Sequence, residues 1–577
     1  MKNKKQMNKL ALQTKLKRLM VAGGLAALVA VPLLFSNAGM RKVDAAQGDV
    51  KINSTNFPDK EFRKYISENI DMNKDGVLSK SEIKSVKTIY LGSGSEVGGY
   101  ICKSLTGINI FTELQTLDCA GNKLTTLDVS KNTKLVKLYC SVNKLTTLDV
   151  SKNTKLVKLY CSVNKLTTLD VSKNTKLVKL DCDVNKLTTL DVSKNSKLEY
   201  LSCRNNKLTK LDVSRNSKLK YLDCYDNKLT DLNISKNQNL IVLNCSFNKL
   251  SKLDVTKNKK LSLLKCRDNK LTKLDVTKNT RLIELDCSCN NLKQLNLRYN
   301  EWLSNLLCSY NKLTSLDTSY NKSLRNVDCY HNKLTKLDFS ASPLCDRIDC
   351  SSNKLTEVII AEGVKKTSVY YDQEIDRSIK IKSKKTKPMK TGEYITLFDD
   401  GKFDYYVFRI TGSKKGKETV TCVYYNMDII VPYGESSKKV KKSFKFGNTT
   451  YKVTAIGENA FKELNSYCED ENICESITIG NSVKTIGSKA FAGTEDLKYI
   501  ILDESVEEIG SYAFANSKDL KVLKIKSTKL TSKTVNKNAF AGITSKTTVK
   551  VPKSKLSTYE KLFRKCGLSK NVKIKAI

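Results

Sequence analysis

The sequence predicts an α/β solenoid: a parallel β ladder of short repeating coils, sealed at its amino end by a helical cap. Three observations carry this. Cysteines fall at 119, 140, 161, 182, 203, 224, 245, 266, 287, 308, 329 and 350, an unbroken step of 21 residues. An asparagine stands three residues after each, from Asn122 to Asn353, and a second asparagine column runs from Asn132 to Asn321. Segments 126–146 and 147–167 are identical at all 21 positions, the mark of recent duplication. A fixed period of this length is the signature of stacked repeats, because no single unit can bury its apolar face alone.

Each unit reads LxxLxCxxNKLTxLDVSKNxK. Alternation along a short strand turns Leu138 and Cys140 inward and Tyr139 outward. Asn143 then turns the chain, its amide available to backbone groups that the turn leaves unpaired. Leu145, Leu148 and Val150 fill the rest of the coil. Cysteines in neighbouring parallel strands would stand ~4.8 Å apart, whereas a disulfide needs Cβ atoms about 3.5–4.5 Å apart. Inward thiols at one spacing offer no tetrahedral metal shell, so the ladder cysteines read as small buried hydrophobes. In a secreted protein, so many thiols imply an oxygen-poor niche or weak oxidative machinery. Cys468 and Cys474, in CEDENIC, are the one candidate pair for bridging.

The repeat resembles the bacterial leucine-rich repeats, most closely their 21-residue class with the unit LxxLxCxxNxLxxLDVSxNxx. The resemblance covers about residues 96–364 and implies a parallel-stranded solenoid whose strand face serves recognition.

Composition points outward from the cell. The 102 Lys and Arg outnumber the 59 Asp and Glu, for a net charge of +43. Such a chain suits anionic partners such as wall polymers or acidic glycans, or simply carries a lysine-rich solvated surface. Seven Lys and Arg lie in the first 18 residues, an apolar run follows from Leu19 to Phe35, and Val43-Asp44-Ala45 supplies small residues for cleavage. This reads as a signal peptide over 1–45, whose removal leaves +35. A retained anchor is the alternative, but Gly23, Gly24 and Pro32 interrupt the run and favour cleavage. The expected location is secreted or loosely attached to the cell surface, with no transmembrane anchor after signal removal.

Residues 46–95 read as the cap. FPDKEFRKYISENI places Phe62, Ile66 and Ile70 at helical spacing and runs into DMNKDGVLSKSE, residues 71–82. That string matches D-x-[DN]-x-[DN]-G-x5-E in full. Asp71, Asn73 and Asp75 offer side-chain oxygens, Val77 its carbonyl, Ser79 a direct or water-mediated contact, and Glu82 two oxygens for calcium. The stretch resembles an EF-hand, and a single hand implies a structural cap rather than a signalling switch.

Strand-like runs separated by Gly- and Ser-rich turns make 365–445 a β-rich spacer module. From 446 to 577 a second repeat appears: IGENAF, IGSKAF and IGSYAF, with phenylalanines at 461, 491 and 514 and a degenerate unit ending at Phe540. VPKSKLSTYEKLF looks like a closing cap. This half resembles the BspA-type leucine-rich repeats of bacterial surface proteins, a group that implies adhesins or surface-exposed binding proteins.

Catalytic chemistry finds little support. The single histidine, His331, leaves no Ser-His-Asp, Cys-His or multi-histidine arrangement, and no phosphate-binding loop appears. Carboxylates recur once per coil in the LDVS column, as a solvated stripe does. The candidate functional surface is the outward strand positions: Tyr139, Tyr160, Tyr225, Phe247, Tyr310, Tyr330 and His331, flanked by Lys137, Lys158 and Lys179. A row of exposed aromatics suits sugar stacking or protein anchoring. The expected function is a binding protein or adhesin for protein or glycan ligands on host or microbial surfaces. A structural protein held on anionic wall polymers by its lysines is the alternative, and nothing signals specific nucleic-acid binding.

Overall fold

The computed structural model describes residues 48–92, 100–371, 379–387, 389–398, 405–414, 418–426, 437–440, 442–446, 449–462, 474–494 and 496–577. The signal segment 1–45 and Cys468 lie outside them. Among the described residues no helix is long and apolar enough to cross a membrane. The chain divides into two compact units, one reaching Asn258 and including 268–270, the other comprising 259–267 and 271–577.

In the first unit, three-residue strands at Thr116–Asp118, Lys137–Tyr139, Lys158–Tyr160, Lys179–Asp181, Tyr200–Ser202, Tyr221–Asp223 and Val242–Asn244 recur once per repeat. Each pairs in parallel with the next, and equivalent repeat positions are in register. The ladder begins earlier than the repeat does, since Thr88–Tyr90 pairs in parallel with Thr116–Asp118. Leu138, Cys140, Leu145 and Val150 are fully buried and Leu148 nearly so, as the alternation requires.

The asparagine columns staple coil to coil. Asn143 Nδ2 donates to the carbonyls of Cys119 (2.9 Å), Cys140 (3.1 Å) and Ser141 (3.2 Å), while its Oδ1 accepts from the Leu124 amide at 2.9 Å. In the second column Asn153 Nδ2 donates to Val129 O at 2.9 Å and Asn132 O at 3.0 Å. One side chain thus satisfies several buried backbone groups that a tight turn cannot pair by itself. The residue before the first asparagine is left-handed in every coil. Its φ runs from 49° to 56° at non-glycine residues, Val142, Val163 and Val184 among them, and is 70° at Gly121.

The second unit has its own parallel ladder of short strands, Leu263–Lys265, Glu284–Asp286, Asn305–Leu307, Asn326–Asp328, Arg347–Asp349 and Val369–Tyr370. The expected spacer is not a free-standing module. Strands Tyr394–Phe398, Tyr405–Gly412 and Thr419–Asn426 are antiparallel, and the last pairs in parallel with Thr449–Ile456, which leads into Thr485–Ile486 and Glu508–Ile509. One hydrophobic cluster runs from Met389 through Val572. The separation drawn at 445 therefore falls inside a shared core. These strands also pack on the cysteine coils: the Trp302 ring lies 5.6 Å from Tyr394 and 5.7 Å from Tyr424, and Thr396 hydrogen-bonds Trp302 O and Ser323 Oγ.

The BspA-like half forms parallel strands at Ser476–Ile479, Tyr499–Leu502, Val522–Ile525, Thr548–Val551 and Lys573–Ala576. Phe461, Phe491, Phe514 and Phe540 stack successively at 4.7, 5.6 and 5.8 Å. The glycine in each Ile-Gly has a steric cause: a Cβ on Gly487 or Gly510 would meet the preceding coil's backbone at 2.6 or 2.5 Å. Helix Leu556–Lys565 closes the end, with Tyr559 and Phe563 fully buried.

All twelve ladder cysteines are buried. Burial pushes the Cys245 thiol up to about 12 and those of Cys140, Cys161 and Cys182 well above the ordinary value. Thiolate is the reactive form. Native protein treated with an alkylating reagent at neutral pH should therefore show no label on these twelve residues by mass spectrometry, and complete label after denaturation. Disulfide-linked ladder peptides from native protein would contradict the packing.

Candidate functional site

The amino-terminal loop is held between helices Lys60–Asn69 and Lys80–Ser85. Asp59 caps the first helix through Oδ1, accepting from Glu61 and Phe62 amides, while its Oδ2 accepts from the amides of Lys103 and Ser104. One carboxylate thus starts the helix and fastens it beside the first coils. Phe57, Phe62, Ile66 and Leu78 are fully buried beneath it. Val77–Leu78 pairs antiparallel with Val50–Lys51.

Within the loop, Asp71 is 1% exposed, its Oδ2 accepts from the Gly76 amide at 3.0 Å, and its Oδ1 has no hydrogen-bond partner. Asp75 Oδ1 accepts from the Val77 amide (2.8 Å), and Asn73 Oδ1 from the Asp75 amide (3.2 Å). Glu82 accepts from the Met72 amide at 2.8 Å, and from the Ser79 amide at 2.9 Å and hydroxyl at 2.7 Å, closing a capping box. Burial raises the Glu82 pKa, but those hydrogen bonds outweigh it and hold the carboxyl below its ordinary value. Among the described residues no three carboxylate, histidine or cysteine side chains converge as a metal cluster, because Asp75 and Glu82 are turned onto amides of their own loop. The donor set nevertheless fits a hard cation. It is all oxygen, and the buried Asp71 Oδ1 is an acceptor that the chain leaves unused.

On the strand face the expected aromatics gather in pairs, but most are half-buried rather than exposed. Tyr139 and Tyr160 stack at 5.1 Å and 19°, and Tyr225 tilts against Phe247 at 5.0 Å; all four are intermediate in exposure. Tyr310 is 46% exposed, and His331 is also exposed; Tyr310 meets half-buried Tyr330 edge-on at 5.0 Å and His331 at 4.9 Å. Lys137, Lys158 and Lys179 are half-buried and in register on successive strands. The correction has a geometric cause. Tyr139 and Tyr160 are in register on adjacent parallel strands, so their rings cover one another's faces, while Tyr225 with Phe247 and Tyr310 with Tyr330 pair across neighbouring columns of adjacent coils.

A second cluster was not among the expected residues. Tyr200 and Tyr221 stack at 4.4 Å and 3°, each 5% exposed. Beside them, Arg204 Nε lies 3.6 Å from Asp223 and 4.0 Å from Asp183, with its guanidinium 5.3 Å from the centre of the Tyr225 ring. Asp183 accepts from the Ser202 hydroxyl and the Arg204 amide, and Asp223 from Asn244 and the Tyr221 hydroxyl. The signal was available in the sequence: at these coils the outward columns change from Lys-Tyr-Ser to Lys179-Asp181-Asp183 and then to Tyr200-Ser202-Arg204.

Burial, reinforced by the charges of Asp181 and Asp223, raises the Asp183 carboxyl well above its ordinary value of 3.8. A raised folded-state pKa means that the folded chain binds the extra proton, so stability falls as pH climbs from 3.8 toward the folded-state value. Asp183→Asn retains an acceptor and removes the charge. It should raise the melting temperature at pH 7, with the advantage shrinking as pH approaches 4. Thermal melts across pH check this; a variant less stable than the parent at pH 7 would show that the Arg204 pairing outweighs desolvation.

Comparison with known proteins follows the same lines. The BspA-type leucine-rich-repeat region model matches residues 454–576, and a leucine-rich-repeat model matches 196–237. No curated protein matches the sequence. Among solved structures, the functional domain of InlJ from Listeria monocytogenes, which includes a cysteine ladder, is 30% identical. The alignment covers 66% of this chain and 83% of that one, with a TM-score of 0.51. An internalin, InlF, from the same species is 21% identical over 59% of this chain and 98% of its own (TM-score 0.47). The leucine-rich-repeat protein LIC12759 of Leptospira interrogans is 24% identical over 48% and 79% (TM-score 0.39). With its in-register strands, cysteine ladder and BspA-type region, this chain belongs to the bacterial leucine-rich-repeat proteins.

Proposed function

We propose that the protein is a secreted or surface-held, non-catalytic binding protein that engages a protein or glycan ligand through its strand face. The observation that carries this reading is the change of side-chain chemistry along that face. The core columns repeat almost without variation, while the outward columns form distinct aromatic, basic and acidic clusters on adjacent coils. A purely structural ladder would have no need of such clusters. The similarity to the InlJ functional domain supports it. Exposed lysines at Lys123, Lys144, Lys165 and Lys186 favour the second reading, retention on anionic wall polymers.

Calcium belongs to the same proposal as a structural ion at the amino-terminal cap. Asp71, Asn73 and Asp75 would hold it with side-chain oxygens, Val77 with its carbonyl, Ser79 directly or through water, and Glu82 with its carboxylate. A bound divalent cation supplies fixed positive charge that ties the loop to both helices. Glu82→Gln keeps the capping box, since glutamine also serves at that position, and removes the charge. Calorimetry should find one site in the parent chain, weakened about tenfold or more in the variant, which loses a charged ligand. Absence of heat in the parent, or unchanged affinity in the variant, would remove calcium from this account.

For the strand face, Tyr139→Phe with Tyr160→Phe keeps the ring pair and deletes the two hydroxyls. The double variant should melt within a few degrees of the parent, and should attach to target cells several-fold less at physiological salt. If instead it attaches normally and the parent washes off at about 0.5 M salt, where surface charge is screened within a few ångströms, the wall-retention reading replaces the ligand-binding one.

A further inference from the structure

We infer that the carboxyl rim of the early coils is a docking ridge for an acidic polypeptide segment bearing aliphatic side chains; this rests on the strand-face reading above. The ridge is made by Val142, Val163 and Val184, on three successive coils. Each is left-handed, with φ of 56°, 54° and 51°. β-Branched residues disfavour that region strongly, whereas Asn and Asp tolerate it. Three other coils of the same unit use the tolerant types at this position, Asn205, Asp226 and Asp268, with φ of 51°, 49° and 52°, while Phe247 at 56° is the one further exception there. The valines therefore oppose the local backbone preference, and they do not recover the cost by burial, being 38%, 40% and 43% exposed. Three aliphatic side chains held in a row against backbone preference and left in solvent form an apolar edge that an occupant outside the described chain would cover.

Charge identifies its character. Two residues beyond each valine stands an exposed lysine, Lys144, Lys165 and Lys186, and on the other side of the strand run Lys137, Lys158 and Lys179. Across 137–142 and 158–163 no acidic residue interrupts the face; Asp181 and Asp183 on the third coil end the basic stretch. The occupant must then combine carboxylates with apolar groups. Ring geometry favours a polypeptide over a glycan. Tyr139 and Tyr160 lie face to face at 5.1 Å and 19°, so a sugar ring cannot stack between them.

The test uses the full chain and three fluorescent or labelled probes: a short peptide of interspersed glutamate and leucine, an all-glutamate peptide of equal length, and polygalacturonate as an anionic glycan. The mixed peptide should bind most tightly. Replacing all three valines together, Val142→Asn, Val163→Asn and Val184→Asn, should weaken that binding about tenfold or more while raising the melting temperature, because asparagine suits the backbone. The inference is overturned if the triple variant binds the mixed peptide unchanged, if it melts lower than the parent, or if either all-anionic probe binds as tightly as the mixed peptide. The two readings fail separately. Loss of cell attachment in the Tyr139→Phe, Tyr160→Phe protein with unchanged attachment in the valine variant would leave strand-face binding standing and remove the ridge.

Discussion

A coil of 21 residues cannot satisfy its own backbone, and the rest of the structure follows from that. Its strand is three residues long and its turns are tight, so many N–H and C=O groups face inward without local partners. Asn143 answers this by reaching both ways, donating to carbonyls of its own coil and of the coil before, and accepting from the Leu124 amide. The apolar residues face the same limitation, since Leu138 and Cys140 are fully buried only because neighbouring coils lie above and below them. Hydrogen bonding and hydrophobic burial therefore have one period and one direction. A substitution in either column is felt by adjacent coils alone.

This constraint explains what could be read in the sequence. Core and asparagine columns are fixed by the stacking requirement, so their period, their inward residues and the parallel pairing were legible directly. The glycines of the IGxxAF units were legible as turns, though their cause is the backbone of the preceding coil rather than a special φ. Sequence reasoning failed where packing came from outside the repeat. Trp302 occupies the position of Lys134 and Lys155 in earlier coils, and Ser323 and Leu344 follow it in the same column. That column loses its lysines where Tyr394, Thr396 and Tyr424 pack. The change was visible, but which segment would cover it was not.

The candidate sites divide in the same way. The loop residues Asp71 to Glu82 were identified by spacing, and the structure adds their hydrogen bonds: Glu82 and Asp75 accept from nearby amides while the buried Asp71 Oδ1 has no hydrogen-bond partner. The aromatics of the strand face were identified as residues but not as an arrangement. Outward pointing does not mean exposure where a ring on the adjacent coil lies against it, as Tyr160 does in register with Tyr139 and Phe247 does one column away from Tyr225. The Tyr200, Tyr221, Arg204 and Asp223 cluster escaped notice because it spans three columns and several coils, and no single spacing announces it.

The left-handed residue at the rim shows how a repeat separates scaffold from surface. The Val142 amide donates to Ser162 O at 2.8 Å and the Asn143 amide to Val163 O at 3.2 Å. Those bonds, with the Asn143 side chain turned inward, set the backbone at Val142 whatever its side chain. The same φ holds for Val142, Asn205, Phe247 and Tyr310 alike. Conformation there is imposed by the neighbouring asparagine, leaving residue type to be determined by what lies beyond the rim. A position whose geometry is fixed but whose chemistry is free is where a repeat protein can acquire a binding surface without disturbing its core. The cost of an ill-suited residue is local, since each coil contacts only its neighbours. The outward columns and the rim can therefore vary from coil to coil while cysteine, leucine and asparagine do not.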